Sequence, residues 1–528
     1  MGFGFEKPKD VPGAAWPAIM IGLFVAFGGV LYGYDTGTIS GILAMKYWLK
    51  LFSTQSDGTL TAGEDSLIVS ILSVGTFLGA LTASPCADIL GRRIGLMAST
   101  TIVFCAGVIM QTISTSQPLF IAGRFFAGYG VGLISAMIPM YQSETAPKWI
   151  RGAIVGSYQL AITIGLLLAA IVNNATKDRN DSGSYRIPIA VQFAWAIVLV
   201  GGLIFLPETP RYLVKRDKHE AAAKSLGKLR RLDSNHPAVV EELNEIVANH
   251  HYEMSVGSAS YLECFRGTIG KRLLTGCALQ ALQQLVGVNF IFYYGTSYFQ
   301  NAGFNNPFII TVITNSVNVV STLPGLAAID KMGRRNLLFY GAIGMAVCQF
   351  IVAITGTVSS VDNLPAQRAM IAFVCIYIFF FASTWGPVAW VVTGELFSLK
   401  VRAKCLSMTT ASNWLLNWAI AYATPYMVDE EYGDLQSKVF FIWGSFCIFA
   451  ILFVYLMMNT KNLSLEQVDE LYSTVSCAWK SKGFKPQISF QDIDDVNDGK
   501  GMSLNDAADL ARVKREGVAT EDVRVEKV

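Results

Sequence analysis

Twelve long apolar runs divide this chain, at roughly 16–42, 66–89, 94–114, 118–141, 152–173, 187–207, 272–299, 307–329, 336–357, 368–394, 403–428 and 438–458. We number them spans 1 to 12. Each can cross a hydrocarbon core about 30 Å thick at ~1.5 Å of helical rise per residue. In lipid a spanning segment must satisfy its own backbone, which restricts such runs to helices. Charged residues make up 15% of the 528, against about 25% in soluble domains. Span 1 is too long for a cleavable signal peptide and lacks a small-residue cleavage site. The runs predict an all-α polytopic membrane protein.

Charge distribution orients it. With both termini cytoplasmic, the inner segments carry 33 of the 41 Lys and Arg residues, as the positive-inside rule requires. Residues 1–15 are then a short lead, 16–207 a first set of six spans, and 208–271 a cytoplasmic linker. Residues 272–458 form a second set of six, and 459–528 a tail. In the linker, 217–231 and 237–250 have amphipathic helical patterns. In the tail, Ser464-Leu465-Glu466-Gln467 is a capping-box pattern opening a short helix to about Ser473, and the rest has a disordered composition. None of the nine cysteines falls in an outer loop, so no disulfide framework is expected. No Cys/His cluster suggests a metal, and no cofactor is expected. Asn174 and Asn180 head Asn-x-Ser/Thr sequons in an outer loop and are glycan-acceptor candidates.

The second half repeats the first. Asp330-Lys331-Met332-Gly333-Arg334-Arg335 echoes Asp88-Ile89-Leu90-Gly91-Arg92-Arg93, and Glu395 precedes Arg402 by seven residues as Glu144 precedes Arg151. Two six-span halves, joined by the middle loop, follow from this repeat.

Span 7 carries the densest polar signal. Gln280, Gln283 and Gln284 share a helical face, with Asn289 further on. Four amides in one span are costly against lipid and should face protein or a wet cavity. An amide donates and accepts together, which matches the vicinal hydroxyls of a sugar; inter-helix amide bonding is the plainer alternative. Tyr293-Tyr294-Gly295 is expected to loosen the helix. Asp35 in span 1 and Arg124 in span 4 are the ionisable residues placed deep in the spans, both ~10 Å below the outer surface.

Taken together, these motifs resemble the sugar porter family of the major facilitator superfamily over residues 20–473. The resemblance rests on Gly-Arg-Arg in both halves, Pro207-Glu208-Thr209-Pro210-Arg211, Gln283-Gln284-Leu285-Val286-Gly287-Val288-Asn289, and Gly394-Glu395-Leu396-Phe397. Gly33-Tyr34-Asp35-Thr36-Gly37 in span 1 and Thr384-Trp385-Gly386-Pro387 in span 10 look like fungal hexose transporters in particular. The resemblance implies alternating access around one sugar site. Gln159, Gln283, Gln284, Asn289, Asn318, Trp390, Asn413 and Asn417 match the family's sugar-binding positions. Arg92, Arg93, Glu144, Arg151 and Glu208 match its gating network in one half, and Arg334, Arg335, Glu395 and Arg402 in the other. Asp35 and Arg124 match the pair present in sugar–proton symporters, although yeast facilitators also carry this Asp. Two positions depart from the family: Met458-Asn459-Thr460-Lys461-Asn462 lacks the usual acidic residue, and Ala382 replaces a glutamate of mammalian facilitators.

Three functions are compatible: proton-coupled uptake of a monosaccharide such as glucose at the cell membrane, uncoupled facilitation, and sugar sensing. The tail of about 70 residues is short for a family sensor. Partners expected are a monosaccharide, a proton and the bilayer, with no nucleic acid. No nucleophile–base pair, phosphate loop or metal cluster points to an enzyme.

Overall fold

In the computed structural model the described residues are 13–14, 16–55, 59–147, 150–256, 261–301, 304, 306–359, 363–397, 399–429, 431–457 and 471. The described residues up to Met457 form one compact unit. Among the described residues, ten helical segments are long and apolar enough to cross a membrane. They correspond to spans 1–6, 8–10 and 12, with ends within a few residues of the apolar runs. Span 11 is the 30-residue helix Leu399–Val428. Span 7 is two helices, Gly267–Leu285 and Val288–Asn301. These two passes carry six of the buried amides, Gln280, Gln283, Gln284, Asn289, Asn413 and Asn417, which lowers their apolarity.

The break in span 7 corrects one expectation. It falls at Val286-Gly287, with Gly287 at φ +86°, and residues 293–295 stay helical. The carbonyl of Val286 accepts from Tyr377 Oη at 2.8 Å and from Gln349 Nε2 at 3.2 Å, so the break leaves no orphaned acceptor there. A Cβ at Gly287 would sit 2.5 Å from Trp443 Cγ. Gly287→Ala is therefore expected to destabilise the protein by at least about 1–2 kcal/mol, from the left-handed backbone alone. Thermal denaturation of the purified protein measures this; an unchanged transition would mean that the break is not built around Gly287.

Close helix approach follows from small residues, as in other membrane bundles. Gly79 of span 2 (Ala62–Leu90) lies against the backbone of Gly132 in span 4 (Gln117–Thr145), and a Cβ there would come within 3.0 Å of Gly132 Cα. Span 1 is bent at Phe27, between the helices Trp16–Ala26 and Gly28–Ile42. Span 10 runs through a widened turn, Phe381–Trp385, before Gly386–Glu395. The linker folds as Pro210–Lys215, His219–Arg230 and Pro237–Val256, close to the two amphipathic stretches expected. The tail's capping box and the Met458–Asn462 departure lie outside the described residues.

Tight turns at Gly91 (φ +91°) and Gly333 (φ +85°) join spans 2–3 and 8–9 at one end of the bundle. We call that end the basic face.

Candidate functional site

Midway along the bundle, the amides of spans 7 and 11 form one connected cluster. Gln283 Nε2 donates to the carbonyls of Trp385 (3.0 Å) and Gly386 (2.9 Å). Asn413 Nδ2 donates to Gln283 Oε1 at 2.8 Å and to Gln280 Oε1 at 2.7 Å. Gln284 Nε2 donates to Asn413 Oδ1 at 3.0 Å, and Gln284 Oε1 accepts from both Asn417 Nδ2 and Asn289 Nδ2. Tyr293 Oη and Ser73 Oγ both donate to Asn417 Oδ1, at 3.1 and 2.7 Å. The cluster thus satisfies itself, which is how buried amides avoid a desolvation penalty.

The other expected positions are less tightly joined. Gln159 of span 5 brings its Nε2 to 3.7 Å from the position a Cβ would take on Gly386, so it borders the same carbonyl corner. Trp390 is half-buried. Asn318 is buried, and its carbonyl accepts from Thr322. Trp385 is wholly buried, with Nε1 donating to Leu338 O at 2.9 Å. Gln280, Ser73 and Tyr293 complete the cluster but were not among the sequence-derived site residues. A single serine in a span carries no signal of its own.

Toward the face opposite the basic one, Asp35 and Arg124 form a buried pair. Asp35 is 0% and Arg124 1% exposed, with Oδ1 and Nη1 3.8 Å apart. No hydrogen bond of good geometry reaches either Asp35 oxygen, though the Gln192 amide lies within reach of the carboxylate, and Arg124 spends one donor, Nε, on Ile68 O at 3.3 Å. The hydroxyls of Tyr293 and Tyr294 lie within electrostatic reach of Arg124. Ion pair and amide cluster are therefore neighbours through Tyr293.

Beyond the pair, the first six spans are tied to the last six. Ser40 Oγ meets Thr296 Oγ1 at 3.0 Å, and Ser66 Oγ donates to Tyr422 O at 2.7 Å. Both ties lie near helix ends away from the basic face.

At the basic face, Arg92 reaches Glu144 at 3.1 Å and Asp88 at 3.4 Å. Glu208 accepts from the backbone N–H groups of Arg92, Arg93 and Thr209 at 3.0–3.2 Å. Burial nevertheless pushes its carboxyl above the ordinary range, the N–H bonds opposing this. Arg93 donates to Ile204 O at 2.8 Å. Arg335 donates to the carbonyls of Val454 and Tyr455 at 3.2 and 2.5 Å. Arg334 also has a partner. The side chains of Arg151, Glu395 and Arg402 lie outside those described. The Arg92–Glu144 pair joins helices within the first six spans. Glu144→Gln is expected to cost about 1–2 kcal/mol of stability by weakening a nearly buried charge-assisted bond, read as a lowered thermal transition; an unchanged transition would make the pair incidental.

Asn174 sits in the last turn of Arg151–Thr176 with its Oδ1 buried, whereas Asn180 is exposed in a bend. None of the described cysteines forms a disulfide, and each is buried or half-buried.

Comparison with known proteins agrees with this architecture. The family described as "Sugar (and other) transporter" matches residues 21–472. The major facilitator-type transporter ecdD of Aspergillus rugulosus is 63% identical, over 92% of this chain and 93% of its own. The probable glucose transporter rco-3 of Neurospora crassa is 54% identical, over 94% and 86%. The high glucose sensor RGT2 of Saccharomyces cerevisiae is 43% identical over 90% of this chain but 63% of its own length. Among solved structures, the E. coli proton:xylose symporter XylE bound to 6-bromo-6-deoxy-D-glucose superposes with a TM-score of 0.71. It is 27% identical, over 87% of this chain and 100% of its own. The chain belongs to the sugar transporter family of the major facilitator superfamily, as do the fungal glucose and hexose transporters it resembles.

Proposed function

We propose that this protein carries a monosaccharide, D-glucose foremost, into the cell across the plasma membrane together with a proton, by alternating access. The observation that carries the sugar assignment is the connected cluster of Gln283, Gln284, Asn289, Asn413 and Asn417. Each amide already holds donor–acceptor bonds of the kind a sugar's hydroxyls offer. Sugar then enters by exchanging amide–amide for amide–hydroxyl bonds. Gln159 at the Gly386 corner, Asn318 and the half-buried face of Trp390 complete the site, the indole packing on the apolar face of a pyranose.

With the basic face cytoplasmic, the ties Ser40–Thr296 and Ser66–Tyr422 close the outer side, as in the inward-facing or occluded members of the cycle. Opening outward breaks those ties and swings the Arg92–Glu144 and Arg334/Glu395 ends together. Asp35 carries the proton. Neither carboxylate oxygen holds a hydrogen bond of good geometry, although Gln192 lies within reach, and its ion-pair partner Arg124 stays protonated throughout. In this orientation Asn180, exposed outside, is the better-placed glycan acceptor.

Uptake of labelled D-glucose by cells lacking other hexose transporters tests the reading. Accumulation against a gradient, abolished by an uncoupler, is the expected result; equilibration without accumulation would reduce it to facilitation. Sensing is the second reading, favoured by the identity with RGT2. Cells that respond to glucose through this protein without taking it up would establish sensing in place of transport.

A further inference from the structure

Three ties between the first six and last six spans differ in what they touch. Ser40–Thr296 and Ser66–Tyr422 lie near the helix ends and reach a hydroxyl and a backbone carbonyl. Ser73 lies seven residues deeper along span 2 than Ser66, about 10 Å at helical rise. Its partner, at 2.7 Å, is Asn417 Oδ1, and Asn417 also donates to Gln284. Ser73 and Asn417 are both buried, and Tyr293 Oη shares the same acceptor atom.

An amide whose oxygen is held by two donors has its NH2 group fixed in direction. Here the two donors come from opposite sets of spans: Tyr293 from the same set as Asn417, Ser73 from the other. Tyr293 can stay with Asn417 when the sets part. Ser73 cannot, because span 2 belongs to the opposite set. The aim of the Asn417 NH2 group therefore depends on whether the seam is closed, and the strength of the seam depends on whether that NH2 group has an acceptor.

We propose that Ser73 is the positioning residue that couples sugar occupancy to closure of the outer seam. It acts through Asn417 and touches no sugar. A sugar hydroxyl accepting from Asn417 Nδ2 holds the amide in the orientation that presents Oδ1 to Ser73. By reciprocity, a closed seam orients Asn417 for sugar. Ser40–Thr296 closes the seam without regard to sugar. The inference rests on the sugar-transport reading above and adds to it the route by which binding drives the conformational step.

The test uses a full-length reporter with cysteine at Asp429, at the outer end of span 11 and half-buried. Its modification rate by a membrane-impermeant thiol reagent is measured in cells with and without external D-glucose. Glucose is expected to slow modification in the otherwise unaltered reporter. Ser73→Ala, and Ser73→Val as a hydroxyl-free variant of threonine's shape, should shrink that glucose effect about two- to tenfold, the range for one neutral hydrogen bond. Ser73→Thr should restore it. Ser40→Ala should speed modification equally with and without glucose. A merely structural role for Ser73 would move both rates together, as Ser40 does. A full glucose effect in either hydroxyl-free variant that reaches the cell surface overturns the proposal. Absence of any glucose effect in the unaltered reporter, with no uptake, overturns the transport reading and the inference with it.

Discussion

Asp35→Asn is expected to abolish accumulation of sugar against a gradient while leaving exchange down the gradient measurable. The substitution keeps the shape of the side chain and removes its capacity to take up and release a proton. Asparagine beside Arg124 also removes the carboxylate paired with that guanidinium at 3.8 Å, its one ion-pair partner among the described residues. A buried charge left without its partner costs roughly 3–5 kcal/mol, so surface expression of Asp35→Asn should fall as well. The converse variant separates the two effects. Arg124→Gln removes the positive charge beside the buried Asp35 carboxylate. That favours its protonated form, which gives a protein that folds but no longer cycles its proton. Sugar-induced alkalinisation of the medium should be absent in both variants. Undiminished accumulation by Asp35→Asn would remove Asp35 from the coupling step.

The second large effect is expected at Gln283. Its Nε2 serves two backbone carbonyls of span 10, and its Oε1 takes one proton of Asn413. Gln283→Ala leaves buried partners unpaired and deletes a group proposed to bind sugar. Each unpaired buried group costs ~1–3 kcal/mol, which corresponds to a KM for sugar raised roughly ten- to hundredfold. Gln283→Glu sets a buried carboxylate oxygen against the two span-10 carbonyls, and should be no milder than Gln283→Ala. Uptake normalised to surface protein reads the effect; a normal KM in Gln283→Ala would exclude this residue from the site.

Much of the fold was legible because lipid enforces one backbone solution, and apolar length then reads directly as span. The positions of the helix ends followed from Gly91, Gly333 and the charges beside them. The amide face of span 7 was legible because four amides in one span have few explanations. What could not be read was the partner of each amide. Asn413 and Asn417 lie more than a hundred residues from Gln283 and Gln284, and their pairing depends on how two helices pack. Gly287 was overlooked in favour of Gly295 for a similar reason. Gly295 follows two tyrosines in the sequence, but it is Gly287 that has Trp443 pressed against it, with Tyr377 and Gln349 placed to donate to the carbonyl at the break. Ser73 was invisible because one serine in a span more often bonds its own helix, as Thr76 does with Leu72.

The break at Gly287 makes the helix Val288–Asn301 a lever. Its fulcrum is fixed by Trp443, Tyr377 and Gln349, all on later helices. Thr296 lies nine residues along the arm, about 14 Å from the fulcrum at helical rise. A swing of only ~10° moves it by about 2 Å, enough to take a hydroxyl pair from bonding distance to none. Asn289, two residues from the fulcrum, moves by about half an ångström over the same arc. A single rotation therefore unlatches the far end of the arm while barely displacing the amide near its pivot.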